Sequence, residues 1–248
     1  DLFLLFEYRK FYPTLYTNLY WASRHTEQHF DYYDINGNYV ENIEINNDVD
    51  YSLFSADLGM KLPILNHKVW LNYNYTNYKQ KIFQVASQTY DWDEETYTNS
   101  SAGKLGFDYL RAHVISLQVM KSQVKPNYMA NMLPNNGYSW DCKISYEWNS
   151  FMNGFSVDDD YGIFGPTFKP NNTYRIEGHY KRYTHLYNKR VLAEFSSDLG
   201  FIFNRDIDDF FYFFGGGLPG LKGYTYYEKE LTGPGVIINS LTLRTLLI

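Results

Sequence analysis

The sequence predicts an all-β protein, an antiparallel transmembrane β-barrel, on three observations. Apolar and polar residues alternate with a period of two over segments of about ten residues, the pattern of a strand with one apolar and one polar face. Aromatic residues make up 20% of the 248 residues, with 26 Tyr, 18 Phe and 5 Trp; tyrosine at that level suits a membrane interface, where the ring is buried and the hydroxyl stays wet. No run of eighteen apolar residues occurs and the mean hydropathy is -0.46, which excludes a helical membrane protein.

The alternation is cleanest at Trp140 to Asn149. There Trp140, Cys142, Ile144, Tyr146 and Trp148 are expected to face lipid, and Asp141, Lys143, Ser145, Glu147 and Asn149 the lumen. Val69 to Thr76 and Val191 to Ile202 repeat the dyad, and weaker versions lie at Leu4 to Arg9, Leu15 to Trp21, Phe54 to Leu62, Leu105 to Tyr109, Ile115 to Met120, Tyr174 to Arg182 and Ile237 to Leu246. About ten strands are therefore visible.

Pro63 to Lys68 and Thr184 to Lys189 read as tight periplasmic turns. Glu27 to Asp50, Gln80 to Ala102, Gln123 to Gly137 and Ser150 to Asn172 read as long extracellular loops. A soluble sandwich or propeller is the competing architecture. It would not set Asp141, Lys143 and Glu147 opposite a row of Trp, Ile and Tyr that is itself exposed to water, whereas a barrel with a polar lumen does so. Backbone in lipid must also pair every N–H and C=O, so the expected sheet closes.

A formal charge of -6 and a pI near 5.5 argue against nucleic acid as a partner, because phosphate binding needs a concentrated basic surface. The single Cys142 rules out an intramolecular disulfide and reads as a small apolar residue at an outward position.

The stretch from Phe213 to Tyr224, with Gly215, Gly216, Gly217, Gly220 and Gly223, is too rich in glycine for a strand or helix and lies between two alternating segments. It reads as an ordered functional loop. A polar connector, Gly233-Pro234-Gly235 and an alternating strand carrying Ser240 and Arg244 follow. This order resembles the BamA-like surface-antigen superfamily of outer-membrane β-barrels, whose sixth extracellular loop folds into the lumen and ends in a Val/Leu-Arg-Gly-Phe/Tyr tip. Here the tip reads Leu221-Lys222-Gly223-Tyr224, with Lys222 in place of Arg. Thr242 stands where the family's Ser-x-Glu-x-Arg run has Glu.

The resemblance covers about residues 190 to 248. It implies roughly sixteen strands in the complete barrel, a lumen plugged by the loop, a lateral seam between first and last strands, and a cation at Lys222 packed against a carboxylate of the wall. The chain opens at Asp1 without a basic leader and stops at Ile248 directly after a strand. Residues 1–248 are accordingly expected to be a partial barrel domain, lacking an N-terminal part and the final C-terminal strands.

Candidate chemistry is sparse. The acidic groups Asp158-Asp159-Asp160, Asp206/Asp208/Asp209 and Asp91/Asp93/Glu94/Glu95 lack the spacing and turn glycine of a calcium loop and read as solvated loop charge. His25 and His29 have helical i, i+4 spacing, but their surroundings read as strand end and loop. No Gly-x-Ser-x-Gly elbow occurs. Arg175, Glu177, His179 and Lys181 share one face, opposite Glu194 and Asp198 on the next strand, and are expected to pair across strands or to line a water path.

The functional expectation is a non-enzymatic barrel of the bacterial outer membrane. It would contact outer-membrane lipid and protein partners, bind no cofactor or metal, and act in protein assembly or translocation or as the membrane module of a larger secretion or surface complex. The alternatives are a passive pore, an anchor for a periplasmic β-propeller, and an outer-membrane hydrolase.

Overall fold

A computed structural model describes residues 1–10, 12–33, 39–91, 96–100, 104–126, 134–157, 164–186, 191–204, 206–217, 220–221, 223–225 and 229–245. Among these residues the chain is all-β, with two 3-10 turns and no α-helix. The strands are β1 (Leu2–Tyr8), β2 (Thr14–Tyr33), β3 (Tyr39–Ile64), β4 (His67–Asp91), β5 (Thr96–Ser100), β6 (Lys104–Pro126), β7 (Pro134–Val157), β8 (Phe164–Leu186), β9 (Val191–Ile202), β10 (Phe213–Phe214), β11 (Thr232–Gly233) and β12 (Gly235–Thr245). One antiparallel sheet runs β1-β2-β3-β4-β6-β7-β8-β9-β12, with β5 folded back on β4, and β10 pairs β11 separately.

Three expectations are corrected. The sheet does not close into a barrel: β1 and β12 are its two edges. The strands also outrun the ten-residue segments that alternate; β2, β3, β4, β6, β7 and β8 span 20, 26, 25, 23, 24 and 23 residues. Most of what reads as long loops is therefore ladder. The physical reason is that antiparallel pairing needs only compatible backbones, so strands rich in Tyr, Thr and Asn keep pairing where the apolar stripe has ended. Third, Leu105 to Tyr109 and Ile115 to Met120 belong to the single strand β6, interrupted by a bulge: Tyr78 pairs Leu110 and Lys79 pairs Asp108, leaving Tyr109 extra. In the same way the described residues of Gln123 to Gly137 are strand, and the strand ends Pro126 and Pro134 lie at the end of the sheet that carries the Leu65–Asn66 turn.

Register separates the two faces. Trp140, Cys142, Ile144, Tyr146 and Trp148 pair with Lys121, Val119, Leu117, Ile115 and His113 on one side and with Tyr180, Gly178, Ile176, Tyr174 and Asn172 on the other. On this face large apolar side chains stand exposed from strand to strand, among them Leu19, Phe54, Leu71, Leu117, Ile144, Leu199 and Leu241. The opposite face holds polar groups that are buried: Ser116, Ser145, Glu147, Asn149, Asn171 and Thr173 are all at most 9% exposed. A water-soluble protein distributes these properties the other way round. The polar face is concave, because one hollow of about 640 Å³ is bounded by residues of six consecutive strands, from Tyr16 and Asp57 through Trp70, Ser116 and Asp141 to His179.

Candidate functional site

The segment after β9 turns back onto the polar face. Ile207 and Phe211, 5% and 8% exposed, join Ile202, Leu110, Ala112 and Phe151 in the principal apolar cluster of that face. Asp208 caps the 3-10 turn Asp209–Phe211 by accepting from the Phe210 amide at 2.9 Å. That cap aims two rings at the sheet: Phe210 stacks on Phe151 at 5.1 Å and meets Tyr109 edge-on at 6.0 Å, and Phe211 meets Phe151 at 5.5 Å. The bulge therefore has a purpose in the packing, since it supplies Tyr109 as an extra ring under the loop.

The chain then forms the β10–β11 ladder, and the Phe213 ring covers Gly200 so closely that a Cβ there would lie 2.6 Å from it. The glycines fold the tip against itself. The Leu221 amide donates to the Gly215 carbonyl at 2.8 Å, and the Gly217 amide donates to the Tyr224 carbonyl at 3.1 Å. A Cβ on Gly216 would lie 2.1 Å from the Thr225 carbonyl oxygen, and one on Gly220 would lie 2.2 Å from that of Gly215, so backbone passes where no side chain fits. Gly223, at φ +101, adopts the left-handed region. Lys222, between Leu221 and Gly223, lies outside the described residues, so the expected ion pair at the tip does too.

Charged residues of the sheet meet this loop. Arg175 on β8 donates from Nη2 to the Phe211 carbonyl at 2.7 Å, and its guanidinium lies 4.8 Å from the centre of the Phe213 ring. The same group pairs with Glu147 at 3.3 Å and Glu177 at 3.6 Å, and Glu177 also pairs with Lys143 at 3.3 Å. His179 meets Asp198 at 2.7 Å and Arg244 meets Glu194 at 2.7 Å. The expected cross-strand pairing of these residues is thus present. Ser240 and Arg244 share the polar face of β12, where the Ser240 hydroxyl contacts that of Ser196 at 2.8 Å. Thr242 lies opposite Glu194, so the acid absent from position 242 stands across the ladder and binds Arg244. Between loop and sheet is a second hollow of about 580 Å³, lined by Arg175, His179, Asp198, Phe213, Gly220 and Ile238.

Metal-ligand chemistry occurs on the other face. A ring nitrogen of His25 and carboxylate oxygens of Glu27 and Asp48 lie within 4.8 Å of one another. Asp50 contacts His25 Nδ1 at 2.8 Å. That hydrogen bond to Asp50 is the chief cause of a raised His25 pKa, with Asp48, Asp50 and Glu27 adding their negative charge. The spacing of His25 and His29 does not reveal this group: both are on a strand, and only the register His25↔Asp50 and Glu27↔Asp48 brings the acids beside the imidazole. Of the acidic clusters, Asp158 to Asp160 and Asp93 to Glu95 lie outside the described residues, while Asp208 is a cap and Asp206 and Asp209 are exposed.

Fold and site together define a class: a curled antiparallel sheet, apolar outside and polar inside, with a glycine-rich loop held on its inner face. Comparison with family models, with curated proteins and with solved structures finds no match to this chain in any of the three.

Proposed function

We propose that the chain is the membrane sheet of an outer-membrane β-barrel of BamA-like type, which performs no covalent chemistry and acts in protein assembly or translocation, or as the membrane module of a larger surface complex. The observation that carries this reading is the inverted distribution of polarity, with exposed Leu, Ile and Phe across one face and buried Ser, Asn, Thr and Glu on the other. In lipid the first face is solvated by acyl chains and the second encloses the polar interior. The loop supports the family assignment, because it folds against the inner face as the resemblance implies. Its attachment through Arg175 and a cluster of rings suits a plug that stays in place. Both edges, β1 and β12, need partners in lipid, and further strands that join them would complete the barrel.

Cys142 provides the test, since it is the single cysteine and sits within the apolar face between Val119 and Gly178. In vesicles it is expected to resist a water-soluble maleimide and to react with a membrane-soluble one; a bimane placed there should be quenched by brominated acyl chains. Full labelling by the water-soluble reagent together with no quenching would sink the membrane reading.

A further inference from the structure

Beyond the upper end of the apolar face, β4 and β6 form a basic cleft that the barrel reading does not use. Lys79 and Lys81 pair across the ladder with Asp108 and Gly106, and Asn77 pairs with Arg111, so these side chains lie on the same face as Leu71, Tyr75, Leu117 and Ile115. Lys79 is two outward positions past Tyr75, about 13 Å along the strand. That distance takes it from the apolar rows to the level where headgroups meet water. Lys81 lies along Gly106, where a Cβ would already touch its Cγ at 3.4 Å, so the glycine leaves the floor of the cleft open. Arg111 lies 5.5 Å above the Phe168 ring, and Phe168 and Pro166 form an apolar wall. The hollow measures about 390 Å³. One carboxylate, Asp108, serves both Arg111, at 2.7 Å from Nε, and Lys79 at 3.7 Å. Three cations and one acid line the hollow; the next carboxylate, Asp50, stands opposite Lys81 on β3 and is engaged by His25.

We propose that this cleft binds the phosphate of an anionic lipid headgroup. Lys79, Lys81 and Arg111 would receive the phosphate oxygens, with the planar guanidinium held in position over Phe168, and Pro166 and Phe168 would meet the apolar part of the same molecule. Amphiphilic ligands fit a cleft with cations on one wall and a ring on the other; the position at the margin of the apolar face selects a lipid over a soluble phosphate. The inference rests on the reading that this face contacts lipid.

The test uses the full chain in phosphatidylcholine vesicles doped with phosphatidylglycerol, followed by extraction and native mass spectrometry of the retained lipids. Wild type is expected to retain phosphatidylglycerol above its share of the vesicle, and Lys81→Gln with Arg111→Gln to reduce that enrichment about thirtyfold, as loss of two interfacial cations implies. Asp108→Asn, which removes the competing acid, should move enrichment the other way, and so guards against a misfolded double variant. Protein that inserts but retains the two lipids in their bulk ratio overturns the site and leaves the membrane reading standing. Protein that does not insert overturns both. Loss of enrichment in millimolar inorganic phosphate, with phosphate bound by the detergent-held protein, overturns the lipid in favour of a soluble anion.

Discussion

Arg175 is the residue on which loop and sheet converge. Its side chain is 18% exposed and bonds the Phe211 carbonyl, faces the Phe213 ring and neutralises Glu147, itself 12% exposed. Removing a cation from such a setting leaves a nearly buried carboxylate without its counterion, which costs more than the pair contributes. We expect Arg175→Met to lower unfolding stability by about 3–5 kcal/mol. The double variant Arg175→Met/Glu147→Met should recover much of that loss, since it buries no unpaired charge. Denaturant unfolding in detergent measures both; equal losses for single and double variants would show that the guanidinium serves the loop alone. The charges at 175, 177, 194 and 198 were legible as one-faced sets from alternation, because the period of two holds within each strand. Their partners were not. Pairing of Arg175 with Glu147, and of His25 with Asp50, depends on register between strands, which is set by the whole ladder.

At the scale of elements, the glycine-rich segment was recognisable because its composition suits neither strand nor helix, and the structure gives each glycine a local reason. Gly216 and Gly220 lie where another backbone passes within contact distance. Gly216→Ala would force a Cβ against the Thr225 carbonyl, and a backbone atom cannot rotate aside as a side-chain end can. Hydrogen exchange of the Gly217 and Leu221 amides is expected to quicken about tenfold or more, equivalent to some 1.4 kcal/mol of local opening, while exchange in β7 stays unchanged. Unchanged protection at both amides would mean that the tip is not closed by these bonds. Strand lengths were the least legible feature. Hydrophobic alternation reports only the part of a strand whose apolar positions keep one parity; in β3 they change from Ile43, Ile45 and Val49 to Phe54, Ala56 and Leu58, so no single alternation spans the strand. The bulge at Tyr109 was equally hidden, since one extra residue in β6 changes no composition and is defined only by its partner β4.

For the molecule as a whole, the exposed apolar face and the two unpaired edges have one consequence in water. Both templates for association, apolar area and open backbone, are present at once. We expect a single symmetric size-exclusion peak in a detergent that covers the face, and aggregation when detergent is diluted below its micelle concentration. A monodisperse species in plain buffer would instead require the apolar face to be covered by protein, as in a sandwich of two sheets.

The sequence by itself determined the all-β class, the antiparallel meander, which residues share a face within each strand, and the presence of an ordered loop before the last strand. All of these follow from local rules, namely a side-chain period of two and the conformations that glycine permits. Only the tertiary structure decided which charges meet, where the strands end, that Arg175 holds the loop, and that Lys79, Lys81 and Arg111 border one cleft. Those facts depend on register and curvature, which arise when every strand is aligned on its neighbours and which no single segment encodes.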